Sequence, residues 1–347
     1  PKMLVWKSSP RSMARVMSRA EAETGSSHPL KRTSQRMFFW EITNRLARQD
    51  NLHPIGLPVK VRSFSNDCHR GIRRAHCGGM ETFYDTHAHL TFPDFSDEIP
   101  AILERAQAAG ITRVITIGTD LVSSREAVAL AEVHEEVYAV VGWHPNDLEP
   151  APDDVRPNLR SLCEHPKVVA VGETGIDHYR LPSSQGGSAE DDTRWKAKQE
   201  TVFRQQLELA EEFQLNVVIH QRVALETTLA IFEDFTARVR GQFHCFVDDV
   251  ASMRRVIDMG SLVSFTGIST FKNAQGVRDT IAATPLDKLM LETDSPFLAP
   301  MPHRGKRCEP AFTRHTAERV AEVKGVSLAE LSAATCATAL DFFPRLR

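Results

Sequence analysis

Phe83-Tyr84-Asp85-Thr86-His87-Ala88-His89 is a short apolar run that ends in two histidines one residue apart. In a β-strand, side chains two positions apart point to the same side, so His87 and His89 face one point at the strand's carboxyl end. The pattern has two readings, a surface strand with two solvated histidines or a grip on a metal ion. The remainder of the chain separates them. Strand-like runs recur at 112–117, 137–142, 168–172, 215–219, 242–246, 261–265 and 288–292, parted by segments with helical spacing of apolar residues. With 83–87 as the first, these make eight units in about 265 residues, the length and rhythm of a (β/α)8 TIM barrel, an α/β fold. A doubly wound open sheet is the competing architecture. It usually carries a glycine-rich phosphate loop after its first strand, and none follows residue 89.

In a parallel barrel every strand finishes at the same rim, so residues far apart in sequence meet around one cavity. The residues at those predicted ends carry metal-binding chemistry: His87 and His89 on the first strand, Glu173 on the fourth, His220 on the fifth, His244 on the sixth and Asp294 on the eighth. Taken singly, a residue such as His244 in Gln-Phe-His-Cys-Phe reads as a satisfied core histidine. Six such residues at six rim positions favour a shared site, and imidazoles with two carboxylates suffice for two divalent ions, whether Zn²⁺, Mn²⁺ or Mg²⁺.

The chain has 347 residues, 41% hydrophobic and 25% charged, the composition of a globular protein. No apolar run approaches the eighteen or so residues of a membrane span. The six cysteines (68, 77, 163, 245, 308 and 336) include no CxxC pair, which suits free thiols in a reducing, cytoplasmic setting. The net charge of −3 conceals a split: residues 1–80 hold 15 Lys and Arg against 5 Asp and Glu, leaving 27 against 40 for the remainder. Residues 1–79 are therefore expected to be a basic, disordered extension to a barrel domain over 80–347, with one amphipathic helix over Met37–Leu46. Targeting segment, nucleic-acid arm and dispensable extension ahead of Met80 are the open readings of its role. Residues 181–194 read as a flexible polar loop at the barrel mouth, and 311–323 and 327–343 as two closing helices.

Several stretches together resemble the TatD-like deoxyribonucleases, a branch of the amidohydrolase-type barrels. They are Asp85-Thr-His87-Ala-His89-Leu90, Gly142-Trp-His144-Pro145, Gly172-Glu173-Thr-Gly175-Ile-Asp177, His220-Gln-Arg222, His244-Cys-Phe246 and Leu291-Glu292-Thr-Asp294-Ser-Pro296-Phe-Leu-Ala-Pro300, followed by Pro302-His303-Arg304-Gly305-Lys306. The resemblance runs in order from about residue 83 to the C-terminus. It implies a metal-dependent hydrolase of DNA phosphodiester bonds in which His87, His89, Glu173, His220, His244 and Asp294 hold two divalent ions, with Glu173 bridging them. Asp294 and Glu173 are the implied catalytic residues, Asp294 accepting the proton of the attacking water. His144, Arg222, His303 and Arg304 are candidates to hold phosphate oxygens, and Trp143, Tyr179, Phe246 and Phe297 either stack on a base or pack loops. The sequence departs from the family pattern at Asn146, Val223, Val247-Asp248 and Cys308, which bears on substrate contacts more than on ligands. A balance of −13 over residues 81–347 repels long duplex DNA, so strand ends or short single strands are the expected substrate. A small ester, lactone or amide on the same site, and a non-catalytic metal-binding or interaction protein, are the alternatives.

Overall fold

The valine- and isoleucine-rich runs form eight strands: β1 (Phe83–Ala88), β2 (Ile111–Ile117), β3 (Val137–Val141), β4 (Val168–Asp177), β5 (Asn216–Arg222), β6 (Gly241–Phe243), β7 (Leu262–Phe265) and β8 (Leu289–Leu291). The structure, a computed structural model, describes residues 80–346. The expectations for residues 1–79 lie outside the described residues. Neighbouring strands pair in parallel in chain order. After β8 the chain returns to β1 through a parallel bridge between Ala88 and Ser295. There the His89 N–H donates to the Ser295 carbonyl at 2.7 Å and the Asp294 N–H to the His87 carbonyl at 2.8 Å. The sheet is thus a TIM barrel whose strands are covered on both faces, which is why they read as continuous apolar runs rather than as alternating ones.

Nine α-helices are described: α1 (Ile99–Ala108), α2 (Leu121–Val133), α3 (Arg156–Cys163), α4 (Ala189–Glu212), α5 (Leu225–Phe232), α6 (Val250–Asp258), α7 (Gln275–Ala283), α8 (Thr313–Lys324) and α9 (Leu328–Phe342). Helix α1 buries Ile99, Ile102, Leu103 and Ala106, the i, i+3, i+4, i+7 stripe of a helix laid on a sheet. Helix α8 stops at Gly325, whose φ of 65° lies in the left-handed region glycine adopts freely.

Two expectations are corrected. Residues 181–194 are not one flexible loop: a short 3-10 turn (Pro182–Gln185) leads into α4, which starts at Ala189. The Ser188 hydroxyl caps the Asp191 N–H while the Asp191 carboxylate caps the Ser188 N–H, and three acidic residues occupy the first turn. The Asp192 carboxylate also takes the Ser183 hydroxyl at 2.6 Å, tying turn to helix. Strand β4, expected to end at residue 172, continues to Asp177, so Glu173 lies within a strand. This close run against β5 needs Gly175, since a Cβ there would collide with the His220 carbonyl.

The end of the barrel where strands begin is shut by α9. The Ser332 hydroxyl donates to the Thr82 carbonyl ahead of β1, and Arg240, ahead of β6, pairs with Asp341 at 2.7 Å. Arg345 Nη1 donates to the carbonyls of Cys163, His165 and Val168 at the start of β4. Phe342, Phe343 and Leu346 are thereby packed into one apolar cluster with Tyr138, Val140, Val218, Leu262 and Met290 from the strands.

Candidate metal centre

The opposite end is polar. As the chain leaves β8 it passes from apolar core to carboxylates, from Met290 in the strand to Glu292 just beyond it and Asp294, which turns at a φ of 59°. Beside Met290 the layer is apolar; beside Glu292 it holds Gln242, Ser264 and Thr86; at Asp294 it reaches the histidines. The Gln242 amide N–H group donates to Thr86, Ser264 and Glu292 at 2.9–3.1 Å, a buried polar floor beneath the cluster. Strand β1 breaks its regular register with β2 between Asp85 and Ala88. Beyond Thr86, the His87 ring stacks on His244 with centroids 4.0 Å apart.

All six sequence-predicted ligands come together. The two oxygens of Glu173 divide them. Oε2 is 3.4 Å from His87 Nε2 and 3.7 Å from His89 Nε2. Those two nitrogens are 3.3 Å apart, and Asp294 Oδ1 stands 3.6 and 3.3 Å from them. Oε1 is 2.8 Å from His244 Nε2, 2.9 Å from His220 Nδ1 and 3.4 Å from His144 Nε2. Three groups of donor atoms are each compact enough for one ion: His87, His89 and Asp294; His87, Glu173 and His244; and His144, Glu173 and His220.

This donor set fits divalent metal. Four donors about 2.1 Å from one ion at tetrahedral angles stand about 3.4 Å from one another, the spacing found here. Imidazole nitrogens that face each other, His87 with His89 and His220 Nδ1 with His244 Nε2 at 3.2 Å, want a cation between them. Burial alone would push the Glu173 carboxyl up, but the His244 and His144 imidazoles hold it well below the usual carboxylate range. Burial opposes charge on His244 too, and is outweighed by Glu173 and Glu292, which raise its pKa well above the ordinary value. His87 is lowered, by burial and then by His244.

Three buried carboxylates in the same motifs had no role assigned from sequence. Asp85 takes the Thr293 hydroxyl at 2.6 Å and the backbone N–H groups of Thr293 and His87, clamping β1 to the segment after β8. Burial pushes its carboxyl up to about 8 against those donors. Asp177 Oδ2 is 3.3 Å from His220 Nε2 and accepts the Asn146 amide at 2.7 Å. Glu292 Oε1 accepts the Cys245 N–H at 2.6 Å and lies 3.7 Å from His244 Nδ1, while Oε2 accepts the Ser264 hydroxyl at 2.6 Å. The readable signal was spacing: Asp85 stands two residues before His87, and Glu292 two before Asp294.

Of the expected phosphate contacts, His144 lies in the cluster, beside Glu173. The Arg222 guanidinium carbon is 3.6 Å from the centre of the Tyr179 ring, and its charge helps depress Asp177. His303 is stacked on Phe312 with centroids 4.2 Å apart, and Arg304 lies over Phe271 at 4.4 Å. Trp143 is a packing residue, 5% exposed, with its indole N–H on the Asp147 carbonyl. Phe246 is buried, whereas Phe297 is half-buried and packs edge-on to Phe92 and His89. The four cysteines among the described residues are free thiols, and no helix among those residues is long and apolar enough to cross a membrane.

Comparison with known proteins agrees with the geometry. The TatD-related DNase family model matches residues 84–344. An uncharacterized metal-dependent hydrolase of Bacillus subtilis, YabD, is 35% identical over 261 residues, covering 75% of this chain and 98% of that one. A 3′-5′ ssDNA/RNA exonuclease TatD of Enterobacter lignolyticus is 31% identical over 258 residues, covering 73% and 95%. The crystal structure of YjjV, a TatD homolog from Escherichia coli, superposes with a TM-score of 0.68 at 29% identity, covering 76% and 98%. A barrel with this ordered set of strand-end donors, and kinship over three quarters of its length, places the chain in the TatD family of metal-dependent hydrolases.

Proposed function

We propose that this chain is a two-metal nuclease that removes nucleotides from the ends of DNA or from short single strands. The observation that carries the reading is the division of Glu173: each oxygen fronts a different group of donors, as a carboxylate bridging two ions does. His87, His89 and Asp294 would hold one ion, His220 and His244 the other, with Glu173 common to both. Divalent ions held there would supply cationic charge against the phosphodiester and would lower the pKa of a water. Asp294 orients the attacking water and takes its proton at the carboxylate. Asp85 fixes the segment that carries Asp294, and Asp177 and Glu292 steady the His220 and His244 rings, the role of carboxylates behind ligating histidines. His144 and Arg222 hold phosphate oxygens, with His303 and Arg304 further along the rim; guanidinium offers paired donors matched to phosphate.

Support for a nucleic-acid substrate comes from the exonuclease relative and from the basic stretch His303-Arg304-Gly305-Lys306-Arg307. The acidic barrel disfavours tracking along duplex DNA. End-labelled single-stranded oligonucleotides, incubated with Mn²⁺ or Mg²⁺, test the reaction and its direction together. The expected result is stepwise shortening from the 3′ end that stops with chelator and with Asp294→Asn. Cleavage of carboxylic esters, lactones or amides with DNA left intact would transfer the site to the small-substrate reading.

A further inference from the structure

Large apolar side chains stand exposed at three places on the rim above the metal centre: Val223 at 62%, Val247 at 42% and Met301 at 49%. The other exposed apolar side chains lie on α2 and α9 and at Met80. Val223 comes three residues after His220 and Val247 three after His244, on the loops that leave the adjacent strands β5 and β6. A hydrogen bond from Gln221, near the end of β5, to Asp248 ties the loop after β6 to that strand. Met301 follows Asp294 by seven residues, and its N–H donates to the Thr270 hydroxyl beyond β7 at 2.8 Å. The three side chains therefore stand on the segments that follow β5, β6 and β8, at the end of the barrel that carries the donor cluster.

Val223 is anomalous twice over. Its φ of 54° lies in the left-handed region, which a β-branched residue enters only under strain and which Asn, Asp or Gly enters readily. Its side chain gains nothing from burial in return. Strained backbone of this kind gathers where a ligand is handled. Near Val223 and Met301 in sequence stand cations braced on aromatic rings, Arg222 on Tyr179 and Arg304 on Phe271. Alternation of apolar surface and braced arginine suits a polymer whose faces are apolar and whose backbone is anionic. A duplex hides its base faces; an unpaired strand presents them.

We propose that Val223, Val247 and Met301 form the apolar track on which the unpaired bases of the substrate strand rest, with Arg222 and Arg304 holding its phosphates. This rests on the nuclease reading above. The track selects single strands over duplex and polymeric substrate over small diesters, and Val223 is its chief specificity residue.

The test compares wild type, Val223→Asn, the double variant Val223→Asn/Val247→Asn and the control Val223→Ile. Each is assayed with Mn²⁺ on a single-stranded 12-mer and on methyl p-nitrophenyl phosphate, alongside the thermal midpoint. The ratio of kcat/KM for oligonucleotide to that for diester should fall about tenfold in the double variant, chiefly through KM. Val223→Ile should keep the wild-type ratio, and Val223→Asn should melt no lower than wild type because Asn is at ease at that φ. An unchanged ratio in the folded double variant, or an equal fall on both substrates, overturns the track and leaves the nuclease reading standing. A wild-type enzyme that hydrolyses the diester and ignores the oligonucleotide overturns the nuclease reading itself.

Discussion

At the end where the strands begin, Phe342, Phe343 and Leu346 pack into one apolar cluster with Tyr138, Val140 and Leu262. At the end where they finish, five imidazoles and Glu173 share a space in which neighbouring donor atoms are 2.8–3.7 Å apart. The same strands supply both, Val218 and His220 on β5, Met290 and Asp294 at β8. The apolar end gains stability from burial, whereas the polar end gathers like groups that repel or desolvate one another unless cations are added. Fold and chemistry are therefore separable along each strand: one end can be damaged while the other keeps working.

The largest expected effect breaks the polar end. Glu173→Gln keeps the shape and removes the charge that faces both donor groups, and should lower hydrolysis by on the order of 10³-fold or more while far-ultraviolet circular dichroism is unchanged. The converse substitution, Phe342→Ala, should cost about 3–5 kcal/mol of stability by leaving a cavity against the barrel floor. In denaturant titrations the loss should appear in the midpoint, with kcat at low temperature near wild type. Adding Mn²⁺ at a hundred times its Kd should stabilise the wild type by about 2.7 kcal/mol for each ion held and leave His87→Ala/His220→Ala unmoved, measured by thermal melts. Glu292→Gln, which touches no reacting atom, should weaken metal affinity about 10–100-fold through the His244 ring it steadies, read by isothermal titration. The smallest effect is chemical silence at the apolar side: burial pushes the Cys163 thiol up to about 12, so a maleimide should leave it unmodified until the protein unfolds.

Much of this was legible because the chemistry-bearing residues interrupt apolar runs. His87 and His89 announce a strand end, and eight repeats of strand and helix announce closure. What stayed hidden was burial behind the first ring of donors: spacing sets Asp85 and Glu292 beside ligand candidates, but only the packed barrel shows them and Asp177 aimed at Thr293, His244 and His220. The stretch 181–194 misled because polarity was given more weight than the Ser188-x-x-Asp191 cap that starts α4. Val223 shows a different limit, since its φ belongs to the loop's closure between β5 and α5 and not to valine.

The central claim is that Glu173 spans two ions, and metal stoichiometry on the purified chain tests it most directly. Mass-spectrometric counting after equilibrium dialysis against Mn²⁺ should give two ions per wild-type chain and fewer than one per Glu173→Gln chain. One ion on the wild type, or two retained on the folded variant, would contradict the bridge.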